Sequence, residues 1–173
     1  NNTVYQTAKQ ACRTLRQACF VFIPNPFQHT MSNQPLLRIA VQKSGRLFDA
    51  SVALLRDAGI TLSNGSNRLL RATASNFPLE VIFLRDDDIP EYVEEGVVDA
   101  GIVGENVVLE KQKNVEILER LGFGHCRLCL ALPKNSVYES KTSLEGLRIA
   151  TSYPRILSGF LGKNNIKAEL HDI

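Results

Sequence analysis

Residues 85–106 read RDDDIPEYVEEGVVDAGIVGEN, and this stretch decides the fold. It follows the apolar run LEVIFL at 79–84, whose β-branched and aromatic residues are typical of a strand that is covered on both faces. A short helix-compatible segment then ends at Gly96, and a second apolar run of strand length occupies 97–103. Because parallel strands need a crossover between them, this order predicts a βαβ unit.

The short helix begins with recognisable signals. Asp88 and Glu91 have the spacing of a capping box, and Pro90 falls in the first turn, where its missing N–H costs nothing. Charged residues therefore start where the first strand leaves the core. Since ligands of parallel α/β sheets bind beyond the carboxyl ends of the strands, we expect Arg85 and Glu105 at a ligand site.

A second strand-to-helix junction lies earlier in the chain. The run LLRIAV at 36–41 predicts a strand, and the amphipathic helix that follows ends at Gly59. The loop between them reads QKSGR (42–46) and carries Lys43 and Arg46. Backbone N–H groups, the helix dipole and two cations converge there, which favours phosphate binding. The loop matches neither the dinucleotide-binding fingerprint nor the Walker loop, and an ordinary solvated turn is the alternative.

Composition limits the function classes. With 173 residues and 44% apolar composition, the chain is long enough to bury a core. Lys and Arg outnumber Asp and Glu only by 20 to 18, so no net charge argues for nucleic acid or for an anionic membrane as a partner. No apolar run approaches the roughly 20 residues that span a bilayer. Four cysteines are too few for a disulfide scaffold, which favours a cytoplasmic location.

Residues 1–35 differ from the rest of the chain. Residues 1–30 contain Lys and Arg but no Asp or Glu, and they include the apolar run ACFVFI at 18–23. Met31 stands just before the first strand predicted above. We expect 1–35 to be a leader or upstream extension that packs poorly, with a targeting peptide as the alternative.

The pattern restarts after the Gly-Phe-Gly sequence at 122–124, which has the composition of a hinge. We therefore predict a first α/β lobe at 36–122 and a partial second α/β lobe at 123–173. In the second lobe, a predicted strand at 147–150 leads into a helix whose start is Thr-Ser-Tyr-Pro at 151–154.

Two clusters resemble metal sites. Cys126 and Cys129 have half of a zinc-site spacing, but positions three apart in an extended segment point to opposite faces. Asp86, Asp87 and Asp88 offer oxygen ligands, yet one of them is needed to cap the helix. We predict no metal bound directly and permanently by the protein.

Four blocks of the sequence together resemble the ATP phosphoribosyltransferases, the enzymes that open histidine biosynthesis. The blocks are LRIAVQKSGRL at 37–47, RDDDIP at 85–90, VDAGIVGEN at 98–106 and RIATSYP at 148–154. They occur in the family's order, and the resemblance covers essentially 36–173.

The resemblance implies a two-lobed α/β fold similar to type II periplasmic binding proteins, with an active cleft between the lobes and an incomplete second lobe. It implies attack of N1 of ATP on C1 of phosphoribosyl diphosphate, with inversion and release of pyrophosphate. Mg²⁺ would be carried by the substrate. A cytoplasmic homo-oligomer is expected for the full-length protein, without nucleic-acid or membrane partners.

The resemblance also implies two sets of site residues. The residues expected to act on the anionic groups, as catalytic cations, are Lys43, Arg46, Arg68 and Arg85. The residues expected to bind substrate are Gln42, Ser44, Gly45, Asp86, Asp99, Gly104, Glu105, Asn106, Thr151, Ser152 and Tyr153.

The family's phosphate-cradling Gly-Ser loop is expected just after Ile173. We therefore expect residues 1–173 alone to lack transferase turnover. The alternative function is a small-ligand-binding or sensor module of the same two-lobed architecture, because fold alone does not separate the two.

Overall fold

A computed structural model describes residues 17–22, 36–63 and 70–173. The chain divides between His125 and Cys126 into two compact units, a few residues after the predicted boundary at 122. The first unit contains residues 85–106.

The first unit is built on a six-stranded sheet with the strand order β3-β4-β2-β5-β1-β6. The strands are β1 (Ala18–Phe22), β2 (Leu37–Gln42), β3 (Arg71–Thr73), β4 (Leu79–Leu84), β5 (Ala100–Gly104) and β6 (Glu116–Arg120). β2 pairs in parallel with both β4 and β5, whereas β1 is antiparallel to its neighbours β5 and β6. The carboxyl ends of β2, β4 and β5 therefore lie at one edge, which we call the carboxyl edge.

Helices cover both faces of this sheet. They are α1 (Arg46–Asp57), α2 (Ile89–Glu94) and α3 (Glu105–Lys111). Leu47, Phe48 and Leu55 of α1 pack with the strand residues of one buried cluster, and α2 and α3 contribute to a second cluster. The alternation of the strands explains the division, since Ile39 and Val41 belong to the first cluster and Ala40 to the second. The βαβ prediction is confirmed.

The prediction that 1–35 packs poorly is wrong for Ala18–Phe22, which forms β1. Ala18, Cys19 and Val21 are fully buried, because this apolar segment fills the space between β5 and β6 and contacts both clusters. The remaining parts of this range, 1–16 and 23–35, lie outside the described residues.

The predicted capping box at the start of α2 is also wrong. Asp86–Asp88 form a 3₁₀ turn in which the Asp88 amide donates to the Arg85 carbonyl at 3.1 Å. Asp88 is therefore already helical, with φ −86° and ψ −23°, and its side chain makes no capping hydrogen bond. A capping side chain normally needs extended backbone at its own residue.

The second unit contains another βαβ arrangement. The parallel strands β7 (Arg148–Thr151) and β8 (Glu169–Asp172) are connected through α4 (Pro154–Lys163). Leu144, Leu157, Leu161 and Ile166 form its buried cluster. Both units thus have the predicted α/β class. Among the described residues, no helix has the length and apolarity required to cross a membrane.

We predict that Gly101→Ala destabilises the first unit by overpacking. A Cβ at Gly101 of β5 would clash with Cγ2 of Ile89 on α2 and lie 3.3 Å from Cγ2 of Val93. The expected loss is about 1–3 kcal/mol in the free energy of unfolding, measured by urea denaturation. Ile89→Ala removes the clashing methyl group, so adding Gly101→Ala to that variant should cost less than adding it to the native chain. Additive losses would contradict this packing.

Candidate functional site

The carboxyl ends of β2 and β4 are joined by one backbone hydrogen bond. The Lys43 amide donates to the Leu84 carbonyl at 2.8 Å, one residue beyond the last pair of the ladder, Gln42 with Leu84. The loop that leaves β2 and the turn that leaves β4 therefore lie side by side. The arrangement follows from the parallel register, because strands that pair in register end at the same level.

An open pocket of about 170 Å³ lies between these two segments, and we call it the edge pocket. Its lining residues are Gln42, Lys43, Ser44, Arg85, Asp86 and Asp87. Five of these six were predicted as site residues. Asp87 was singled out only as a possible metal ligand or solvated side chain; the 3₁₀ turn places it beside Asp86, because three residues complete such a turn.

The edge pocket combines charges of both signs. The side chains of Lys43 and Arg85 are exposed and bring one cation from each strand end, whereas Asp86 is half-buried. An Asp87 carboxylate oxygen lies 3.3 Å from Lys111 Nζ on α3, so part of its charge is compensated from outside the pocket. Two cations suit an anionic group, and carboxylates beside them suit hydroxyl groups or metal-bound water.

The start of α1 adjoins the edge pocket. Gly45 precedes the helix with φ +92°, a left-handed conformation that favours glycine. No described side chain caps this helix, and Arg46 is its exposed first residue. A cation at this position opposes the helix dipole, whose amino end is positive. Arg46 therefore attracts an anion to the amino end of α1 but lowers the stability of the helix.

Gly104, Glu105 and Asn106 follow β5 at the same edge, although none of them lines the edge pocket. The Glu105 carboxylate accepts a hydrogen bond from Arg120 Nη2 at 3.0 Å, and its amide donates to the Gln17 carbonyl at 2.9 Å. Asn106 lies over Gly104, since a Cβ on that glycine would come 2.5 Å from Asn106 Oδ1. The structure thus places these residues at the predicted edge but holds Glu105 in an ion pair.

Cys19 of β1 lies in the electrostatic field of this ion pair. Burial is the main cause that raises the pKa of its thiol to about 12; Glu105 raises it further, and Arg120 partly opposes the shift. The Cys19 Sγ lies 3.5 Å from the Val103 carbonyl oxygen. The thiol is therefore a protonated core group rather than a nucleophile.

Asp99 lies at a different edge of the sheet from the edge pocket. It precedes β5 and lies at the amino ends of the parallel strands, opposite the edge pocket. Its Oδ2 accepts a hydrogen bond from the Arg38 amide at 2.7 Å, and its own amide donates to the Arg38 carbonyl at 2.9 Å. These hydrogen bonds give Asp99 a structural role directly before β5, which begins at Ala100 and not at the predicted 97. Its expected role in substrate binding stays a prediction.

The described part of the first unit does not contain four other predicted residues. Arg68 lies outside the described residues. The second unit contains Thr151, Ser152 and Tyr153, which run from the last residue of β7 to the start of α4. Thr151 Oγ1 accepts a hydrogen bond from the Tyr153 amide at 2.9 Å. Their roles stay predictions.

Within 17–22, 36–63 and 70–173, no group of three or more His, Cys, Asp or Glu side chains is arranged to hold a metal ion. None of the described cysteines, Cys19, Cys126 and Cys129, forms a disulfide. The carboxylates of the edge pocket supply oxygen atoms, the ligand type that hard cations such as Mg²⁺ prefer.

These features define an α/β protein with a charged pocket at the carboxyl edge of a parallel sheet. A sequence model described as ATP phosphoribosyltransferase matches residues 85–173. The ATP phosphoribosyltransferase of Cytophaga hutchinsonii is 54% identical over 138 residues, which are 80% of this chain and 48% of that protein. The corresponding enzyme of Bacteroides fragilis is also 54% identical over 138 residues, with the same coverage of 80% and 48%. The chain belongs to the ATP phosphoribosyltransferase family, and it spans about half the length of these curated relatives.

A solved structure supports the fold independently. It is the ATP phosphoribosyl transferase (HisG:HisZ) complex from Thermotoga maritima, with a TM-score of 0.55 and 20% sequence identity. The match covers 79% of this chain and 64% of the solved chain. At this identity the likeness concerns the fold alone.

We predict that Asp99→Ala lowers stability by about 1–3 kcal/mol, because the Arg38 amide loses its side-chain acceptor. Asp99→Asn keeps an oxygen acceptor and should cost less. Urea denaturation of the two variants tests this order. If Asp99→Asn keeps its stability but no longer binds ATP, Asp99 contacts the substrate.

We predict that Arg46→Gln stabilises the chain by about 0.3–1 kcal/mol at low ionic strength, because it removes a cation from the amino end of α1. Arg56→Gln is the matched control, since Arg56 is an exposed cation in the last turn of the same helix, where the dipole favours it. That variant should lose a similar amount. Thermal unfolding at two salt concentrations measures both, and equal destabilisation by both changes would exclude the dipole effect.

Proposed function

We propose that the edge pocket binds a phosphate-bearing substrate of the ATP phosphoribosyltransferase reaction. In this reaction, N1 of ATP and phosphoribosyl diphosphate form phosphoribosyl-ATP and pyrophosphate, which opens L-histidine biosynthesis. The observation that carries the proposal is the meeting of Lys43 and Arg85, from two strand ends, in one pocket that also contains carboxylates. Family membership supplies the reaction class.

The chemistry suits such a pocket. Attack of the adenine N1 forms a bond to the sugar C1 as the bond to pyrophosphate breaks, and negative charge grows on the leaving group. Fixed cations that meet this charge lower the barrier without reorganisation. We assign this role to Lys43 and Arg85, together with Arg46 at the helix start and Arg68. Positioning of the two substrates supplies the remaining catalytic effect.

The neutral and acidic groups have binding roles in this proposal. Gln42, Ser44 and the backbone at Gly45 supply hydrogen-bonding groups beside the phosphates. Asp86 is suited to ribose hydroxyls or to water on the substrate's Mg²⁺, with Asp87 beside it. Mg²⁺ would thus enter as part of the substrate and neutralise phosphate charge.

Six residues outside the edge pocket are assigned to nucleotide binding. We assign to the nucleotide the residues Gly104, Glu105, Asn106, Thr151, Ser152 and Tyr153. Support for the first three is their place after β5 at the carboxyl edge. For the last three it is their place before α4, whose first-turn amides suit an anion.

We also propose that the full-length protein is a cytoplasmic homo-oligomer. The lack of disulfides among the described cysteines fits a reducing compartment, where ATP is available. The solved Thermotoga maritima relative is described as a complex of HisG with HisZ, so association with a different protein is the alternative assembly. Light scattering on the full-length protein tests the assembly. The small-ligand receptor or sensor has no specific observation in its favour, since the family match concerns the transferase.

We predict that Lys43→Met and Arg85→Met each weaken binding of Mg·ATP or Mg·phosphoribosyl diphosphate about tenfold, because each removes one charged hydrogen-bond donor from the edge pocket. Titration calorimetry on the chain measures both ligands separately. The ligand more affected by both changes is the occupant of the edge pocket.

Arg56→Met is the control, because Arg56 is an exposed cation at the far end of α1. It should leave both affinities unchanged. Native affinity in both pocket variants, or equal losses with Arg56→Met, would contradict the proposed function.

A further inference from the structure

Three segments that are far apart in the sequence meet beside Glu105. Glu105 directly follows β5, and Arg120 is the last residue of β6. β5 and β6 are both antiparallel to β1 and therefore run parallel to each other, so both end at the carboxyl edge. Because β1 runs the opposite way, Gln17, the residue before it, also lies at this edge. The sheet topology thus brings Gln17 and Arg120 to the acid.

Glu105 is held at both its main chain and its side chain. Its amide donates to the Gln17 carbonyl at 2.9 Å, and its Oε1 accepts a hydrogen bond from Arg120 Nη2 at 3.0 Å. The Glu105 side chain is only 13% exposed, whereas the Arg120 side chain is 55% exposed. A mostly covered carboxylate has lost much of its water, so it depends on a cationic partner more than an exposed carboxylate does.

The two ladders of β1 explain why an arginine is needed for this contact. Cys19 pairs with Arg120 on one side of β1, and Ala18 pairs with Gly104 on the other. Arg120 therefore has to reach across β1, since strands on its two sides are about 10 Å apart. A guanidinium is planar and presents several N–H donors in a fixed arrangement, so it also orients the carboxylate that it binds.

The ion pair is separate from the edge pocket. Arg120 is not among the residues that line this pocket, and its side chain contacts Glu105 from the side of β6. The hydrogen bond to Glu105 is the main cause that raises the pKa of the Arg120 guanidinium above its ordinary value. Arg120 is thus paired with an acid of the carboxyl edge without occupying the pocket itself.

We propose that Arg120 is a positioning residue for nucleotide binding, which acts by holding the Glu105 carboxylate in place. This rests on the proposed function, in which Glu105 binds the nucleotide through its hydroxyl or amino groups. An acceptor that is already fixed loses less conformational freedom when the ligand binds, and the affinity is higher for that reason. Arg120 therefore contributes to the affinity without contacting the ligand.

A double-mutant cycle tests the proposal, with titration calorimetry of Mg·ATP on the chain. Circular dichroism first establishes that each variant is folded. We expect Arg120→Met to weaken binding about fivefold or more, because Glu105 loses the group that orients it. Arg120→Lys keeps the charge but not the planar donor group, so it should recover part of the affinity.

The second half of the cycle separates positioning from a general effect of charge. In a chain that carries Glu105→Gln, Arg120→Met should cause little further loss, because Arg120 acts through the Glu105 carboxylate. Equal losses with and without this carboxylate would overturn the proposal. If Arg120→Met does not fold, Arg120→Gln, which keeps a hydrogen-bond donor, takes its place in the cycle with the same expected dependence on Glu105.

Lys113→Met is the matched control. Lys113 Nζ lies 3.2 Å from Glu94 Oε2, so this change also removes an ion pair from the first unit. Lys113 precedes β6, at the edge opposite Arg120, and its partner is not a proposed site residue. The control should leave the affinity for Mg·ATP unchanged. A loss as large as that of Arg120→Met would overturn the proposal.

Failure of this proposal is distinguishable from failure of the proposed function. If Lys43→Met weakens binding of either substrate but Arg120→Met leaves Mg·ATP binding unchanged, only the role of Arg120 is excluded. If the native chain does not bind Mg·ATP, the role of Arg120 is excluded as well, and the proposed function then depends on the titration with Mg·phosphoribosyl diphosphate.

Discussion

The parallel pairing of β2 with β4 is the interaction on which the candidate site depends. The register runs from Leu37 with Leu79 to Gln42 with Leu84, and the bond from the Lys43 amide to the Leu84 carbonyl continues it at 2.8 Å. A shift of one residue would turn every side chain of one strand to the other face of the sheet. The meeting of Lys43 and Arg85 is therefore a consequence of backbone pairing, which two buried clusters hold from opposite faces.

The same ladder separates acids with different roles. Asp86 and Asp87 follow β4 and reach the edge pocket, whereas Asp99 precedes β5 and binds the Arg38 amide at the opposite edge. A carboxylate that accepts a backbone hydrogen bond at a strand start stabilises the pairing. A carboxylate beside two exposed cations remains available to a ligand. Strand direction decides between these two outcomes.

Arg46 and Glu105 of the first unit differ in how they affect its stability. Arg46 stands at the helix end where a cation is least favourable, as expected if an anion is meant to bind there. Glu105, by contrast, is held by groups from β1 and β6, which lie outside the parallel framework. The carboxyl edge is thus assembled from the βαβ framework and from an inserted strand that is remote in sequence.

The sequence by itself determined the α/β class, the βαβ unit, the family and most of the edge pocket. Apolar runs of strand length and the glycines that end helices are local signals, and charges placed directly after such runs are carried to the carboxyl edge. The motif around Asp99 was recognised, but the strand was predicted to begin at 97, whereas it begins at Ala100 and Asp99 directly precedes it. The partners of Glu105 and Asp87 are Arg120 and Lys111, and nothing local in the sequence pairs them.

Only the tertiary structure decided that Ala18–Phe22 belongs to the sheet. The local sequence of an apolar segment does not indicate which strands it pairs with, because strand pairing joins residues that are far apart in the chain. The hydrogen bonds and the packing that assign β1 to its place come from β5 and β6, roughly 80 to 100 residues further on.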